Sequence, residues 1–229
     1  MANLTTILSI AEQVTIMDQR FVGQVLSRNQ RISTSEIVTV VPFQFEMKPM
    51  NYLQYSQNRG LLANLRYYDK SLEQYLNFPS TGWANYVYYQ GDLNPTDIPI
   101  CQWQTSSANQ NLVLGNIPSG YSSTAYVVRA GDFCQVGRYA YIATQDVQRG
   151  GGATVTIPVH RNLISPLTSP INAVIGQYGT TVSMGGTQYI GTTFPVILQA
   201  YPRYTLIPIT NDSFIQWTGT FKAFESVTT

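Results

Sequence analysis

The chain has 229 residues, of which 11% are charged, with a formal charge of +1 and 16 tyrosines. The charged share is less than half of the roughly 25% usual in a soluble domain, and Lys and Arg are scattered singly, which excludes the basic stripe that direct nucleic-acid binding requires. The length suits a single large domain or a compact bipartite fold, and a polar share made of Ser, Thr, Asn, Gln and Tyr suits extensive contact with other proteins.

The N-terminus, MANLTTILSIAEQVTIMDQRF, has no basic region ahead of an apolar run and carries Glu12 and Asp18, unlike a secretory signal. Leu4, Ile7, Leu8, Ala11, Val14, Met17 and Phe21 permit an amphipathic helix, but β-branched neighbours weaken it. An arm that becomes ordered only against a neighbour fits equally. Residues 22–27 read as a short strand and Arg28-Asn29-Gln30 as a turn. EIVTVVPFQFEM (36–47) is a strong β segment, which must bulge or lie at an edge at Pro42. Residues 54–78 hold the one good helical candidate, with Ser56 as cap and Leu61, Leu62, Leu65 and Tyr68 on one face. From Leu72 the alternation with Gln74, Leu76 and Phe78 favours a strand, with WANYVYY (83–89) as its hairpin partner. Residues 98–104 and 111–114 form a further pair.

Thr124–Leu163 alternates apolar and polar residues and breaks at Ala130-Gly131-Asp132, Gly137-Arg138 and Arg149-Gly150-Gly151-Gly152. That spacing predicts four short antiparallel strands in a small meander able to close into a barrel. Short strands at 174–177 and 180–184 follow, and the end is strongly β at 194–200, 203–207 and 214–224. No period of a repeat architecture is present. The fold class expected is mainly β with one helix.

Reactive groups are scarce. His160 is the sole histidine; Cys101 and Cys134 lie in separate predicted strands and read as reduced thiols rather than a disulfide. A Ser-His-Asp or Cys-His arrangement lacks its sequence context, one His and two distant Cys do not make a zinc set, and no phosphate-loop lysine follows Gly150-Gly151-Gly152. No catalytic, cofactor-binding or metal-ligating residue is nominated, and no cofactor is expected. The uncharged run 162–198 is broken by Ser, Thr, Asn, Gln, Gly and Pro, so no membrane insertion is expected. Trp83, Tyr86, Tyr88, Tyr89, Tyr139 and Tyr141 invite a second reading, a sugar-stacking platform.

The segment with Ala130-Gly131-Asp132-Phe133, Gln135, Gly137, Tyr139, Tyr141, Asp146-Val147, Arg149-Gly150 and Thr154 to Arg161 resembles one common in virion proteins of contractile-tailed phages. LSRNQRISTSEIVTVVPFQFEMKP (26–49) and NRGLLANLRYYDKSLEQYLNF (58–78) are similar to the opening of tail-tube-like baseplate proteins, and FPVILQAYPRYTLIP with FIQWTGTFKAFE to their closing strands. Cyanophage members resemble the chain most.

The resemblance implies a split β-barrel or sandwich with a flanking helix, its sheet completed in a ring of six copies around a channel. It implies a hub or tube-initiator protein that joins the baseplate hub to the tail tube, made in the host cytoplasm and placed in the virion. Its partners would be itself, the adjacent hub and tube proteins, and DNA only in transit. A main tube, wedge or connector subunit is the structural alternative, and a carbohydrate-binding module of a tail fibre the alternative of another class. On this reading residues 1–35 form an arm and first strand, 36–120 and 165–229 the tail-tube-like domain, and 121–164 an inserted small barrel. Arg28, Arg31, Arg59, Asp69 and Arg161 are the residues expected to make inter-subunit ion pairs.

Overall fold

The structure, a computed structural model, describes residues 3–18, 22–26, 32–36, 41–67, 72–78, 85–104, 110–165 and 167–227, with the side chains of 3, 22–26, 32–36, 66 and 67 outside that description. In chain order, helix α1 (Asn3–Ser9) precedes β1 (Ala11–Met17), β2 (Val22–Leu26), β3 (Ile32–Glu36), β4 (Gln44–Pro49), β5 (Leu53–Gln54), helix α2 (Tyr55–Tyr67) and β6 (Gln74–Asn77). The middle holds β7 (Gln102–Trp103), β8 (Asn111–Gly115), β9 (Tyr126–Val128), β10 (Phe133–Val136), β11 (Tyr139–Ile142), β12 (Val147–Gln148), β13 (Val155–Pro158), β14 (Ile171–Asn172), β15 (Val174–Ile175) and β16 (Tyr178–Gly179). The end is β17 (Thr181–Met184), β18 (Thr187–Ile190), β19 (Thr193–Ala200), β20 (Arg203–Ile209), β21 (Asp212–Thr218) and β22 (Phe221–Glu225). The chain is mainly β, and its largest sheet curls into a half-barrel.

That sheet has the order β1-β4-β22-β19-β6, all neighbours antiparallel. Its inner face follows from period-2 alternation: Phe45 and Met47 on β4, Phe221 and Ala223 on β22, and Phe194, Val196 and Leu198 on β19 are all buried. Leu4, Ile7 and Leu8 of α1 and Leu62 and Leu65 of α2 cover this face. Phe43, Phe45, Phe78, Phe133 and Phe194 meet at its centre with ring centroids 5.0–6.2 Å apart, largely edge-on or tilted as ring quadrupoles favour. Residues 3–17 pack on their own chain. A short helix and a strand share 3–17, and three α1 side chains at most 1% exposed anchor them.

Other sequence expectations change as well. The β segment 36–47 does not run through Pro42: β3 ends at Glu36 and β4 starts at Gln44. The Phe43 N–H instead donates to the Glu225 carboxylate at 3.1 Å. Strand β6 is present, but its partner is β19, with Asn77 opposite Thr193 and Gln74 opposite Val196. Residues 85–90 form no strand. Their backbone is held by side chains: the Tyr89 N–H donates to Gln177 Oε1 and the Gln90 N–H to Asp132, each at 2.8 Å. The β19 residues Phe194 and Val196 that stand opposite Leu76 and Gln74 are fully buried, so this pairing takes apolar surface out of water.

The 124–163 segment holds five strands and is not a simple meander. Only β10 and β11 form a sequential hairpin; β9 pairs with β12 around it, β13 with β8, and β15 with β10. The second core accordingly draws on residues well outside it, including Leu93, Trp103, Leu112, Leu114 and Ile175. Trp103 is fully buried and its indole N–H donates to the Gln135 carbonyl at 2.8 Å.

Candidate functional site

Of the five residues expected to bond between subunits, Arg28, Arg31 and Asp69 lie outside the described residues, and Arg59 is exposed on α2. Arg161 is elsewhere than expected. It is 1% exposed and spends its guanidinium inside its own chain, on both oxygens of Glu225 at 2.5 and 2.8 Å and on the carbonyls of Val41 and Ala140 at 2.5 and 2.7 Å. Phe43 and Tyr141 lie against its guanidinium carbon at 4.9 and 5.2 Å. A charge taken out of water needs a partner at hand, and the C-terminal strand supplies it, so no ion pair to another subunit is available there. Sequence reading missed this because the pair spans 64 residues.

The reactive groups are spent locally as well. His160 Nδ1 accepts the Ile142 N–H at 3.0 Å, a strand-end role. Cys101 and Cys134 are free and buried. Burial, with Asp97 adding, pushes the Cys101 thiol up to about 11, and burial, with Asp132 adding, raises the Cys134 thiol further. Neither supplies a thiolate near neutral pH.

Among the described residues the nominated tyrosines do not form one exposed platform. Tyr139 and Tyr141 are buried, and the Tyr141 hydroxyl accepts the Ile164 N–H. Tyr86 packs on Phe133 and Phe78 at 5.0 and 6.0 Å while remaining 40% exposed. The Tyr89 hydroxyl donates to the Val127 carbonyl at 2.6 Å and accepts the Leu93 N–H. Trp83 lies outside the described residues. A groove of about 420 Å³ runs between the Gly137-Arg138 turn, β14 and β17. Its one cation among the described residues, Arg138, is held by Glu73.

Two solvent-facing surfaces stand out among the described residues. The first is the outer face of the half-barrel. Its charges are matched one to one: Glu12 with Lys48 and Glu46 with Lys222, each at 2.5 Å. Glu46 and Lys222 stand directly opposite on β4 and β22, where a cross-strand pair is most effective. Among the described strands β1 and β6 form the margins of this sheet.

The second is the hairpin β20–β21, whose free margin is β20 in the order β20-β21-β5. Its seven residues pair from Arg203 opposite Thr218 to Ile209 opposite Asp212. Only Arg203 among them is charged, and Leu206, Ile207 and Ile209 are 43, 36 and 37% exposed. Apolar residues therefore face solvent on both sides of one margin, which natural edges usually avoid.

At its tip, Asp212 reaches back to the start of α2, where Oδ1 accepts the Ser56 N–H at 3.1 Å and Oδ2 the Ser56 hydroxyl at 2.6 Å. The Ser56 hydroxyl first, then the Ser213 N–H at 2.7 Å from Oδ1 and the Ser56 N–H, hold the Asp212 carboxyl below its ordinary value. Ser56 is thus not the cap but the capped residue, and the cap comes from 156 positions away.

Among the described residues no helix is long and apolar enough to cross a membrane. No protein-family model matches the chain, and no curated protein is found similar to it.

Proposed function

We propose that the chain is a ring-forming structural subunit of a contractile phage tail, a baseplate hub or tube-initiator protein whose copies stand side by side around a DNA channel. The observation that carries this reading is the curled half-barrel sheet with strand margins at β1 and β6. A sheet of this shape loses its edges when neighbouring copies continue it. The matched charges of its outer face suit a channel wall, since unpaired Lys and Arg there would hold passing phosphates by counterion release. The apolar β20 margin gives each copy a surface to bury against the next.

In this reading function is geometric. A head-to-tail interface repeated by rotation closes a ring, and the ring offers the first layer of the tube its template. Mass photometry and negative-stain imaging of the purified chain test it. A closed ring of one size with a central bore is expected. An indefinite tube would instead mark a main tube subunit, and a monomer at every concentration, with and without hub protein, would sink the reading.

A further inference from the structure

Strand β20 lies wholly within the described residues, is the outer strand of its sheet among them, and is exposed from Thr205 to Ile209. Its backbone phase follows from the neighbouring strand. The Ile215 carbonyl accepts the Tyr52 N–H at 2.9 Å, on the side of β21 away from β20, and Ile215 stands opposite Leu206. Leu206 and Ile215 are therefore a non-hydrogen-bonded pair, and Tyr204 and Leu206 turn their N–H and C=O groups outward to the margin. Pro202 and Pro208 share that phase but have no N–H to offer. The prolines thus bound a window, 203–207, with Thr205 at its centre.

We propose that this window pairs with the same window of a second copy, antiparallel about a two-fold axis at Thr205. Tyr204 of each copy then exchanges both backbone bonds with Leu206 of the other, and Pro202 faces Pro208, where neither has an N–H to place. A centre at Leu206 would set Pro208 against Tyr204, and a centre at Tyr204 would set Pro202 against Leu206. Each leaves a carbonyl facing a proline that cannot donate to it. Prolines ordinarily block an edge; at these positions they leave one register open.

Side chains and charge favour the same partner. Thr205 meets Thr205, Tyr204 meets Leu206, and Ile207 meets the aliphatic stem of Arg203, pairings that suit antiparallel strands. Leu206 and Ile207, 43 and 36% exposed in the single chain, are drawn out of water. Antiparallel pairing holds the Arg203 cations at opposite ends of the window, whereas parallel pairing brings them side by side, which is unfavourable. The same surface is used by both copies, so the contact joins two and stops. It goes beyond the proposed ring, whose copies follow one another by rotation, and is tested apart from it.

Thr205 facing its own copy in a non-hydrogen-bonded pair brings the β-carbons within about 5 Å, close to what a disulfide spans. Thr205→Cys, oxidised under non-denaturing conditions, should give a linked dimer and nothing larger on a non-reducing gel; the native thiols are buried and do not compete. Ile209→Cys, also exposed and on the same face of β20 but out of register with itself, should stay unlinked. No dimer from Thr205→Cys, or as much from Ile209→Cys, overturns the proposal. Leu206→Pro removes the N–H that Leu206 offers to the margin and should weaken association roughly tenfold or more in sedimentation velocity; unchanged association also overturns the pairing. Linked dimers without rings keep the pairing and sink the ring, whereas a ring whose copies never link through Thr205 does the reverse.

Discussion

Arg161 and Glu225 illustrate how much a single contact depends on both partners being present. Every oxygen of the carboxylate is used, with Phe43 N–H also donating to Oε2, and neither side chain touches solvent. Removing the cation alone strands a buried charge. Arg161→Met should therefore cost about 3–5 kcal/mol, whereas Arg161→Met with Glu225→Leu should recover most of it, because the desolvation cost disappears with both charges. Urea unfolding midpoints of the three proteins check this, and a double variant no better than the single one would mean that the pair is not the source of the loss. The thiols give a second test at this scale. With both raised by burial, native protein at pH 8 should resist iodoacetamide at Cys101 and Cys134 and take up two labels once denatured, a difference that mass spectrometry reads directly.

At the scale of elements, α2 depends on a residue of another hairpin. Asp212→Ala removes the acceptor of the Ser56 N–H and hydroxyl, so the helix start and the β20–β21 tip should loosen together and the melting temperature fall. The sign with pH is fixed by the direction of the shift. The folded carboxyl lies below its ordinary value of 3.8, so its contribution is present above that value and is lost as pH falls through the folded one. The melting difference between the parent chain and Asp212→Ala should thus be full at pH 7 and vanish in strong acid. Cooperation of this kind marks the limit of what the sequence shows. The alternation in β4 and β22 is legible because each strand buries one face, and Leu61, Leu62 and Leu65 announce the helix. The Asp212 cap, the β19 partner of β6 and the Glu225 partner of Arg161 are set by tertiary contact across 64 to 156 positions, where local pattern carries no information. The candidate surfaces were legible only in outline: scarce charge pointed to assembly, but which margin stays open depends on which strands find partners.

For the molecule as a whole, the question is whether the two cores fold as one. Strand β10 belongs to both, since Phe133 enters the aromatic centre of the first and Cys134 the second. Arg161 does the same by tying Val41 and Glu225, at the rim of the half-barrel, to Ala140 on β11. A rigid joint matters for a ring, because a small error in the angle between the two cores is repeated at every subunit and prevents closure. Trp103 sits in the second core and Trp217 in the first, which makes each a local reporter. Variants keeping only one of these tryptophans, with the others replaced by phenylalanine, should give coincident fluorescence transitions in urea, the signature of a single cooperative unit. Phe133→Ala should lower both by the same amount, about 3–5 kcal/mol. Separate midpoints, or a Phe133→Ala effect felt by Trp217 alone, would mean that the joint is loose, and the proposed ring would then need its angle set by the neighbouring copy.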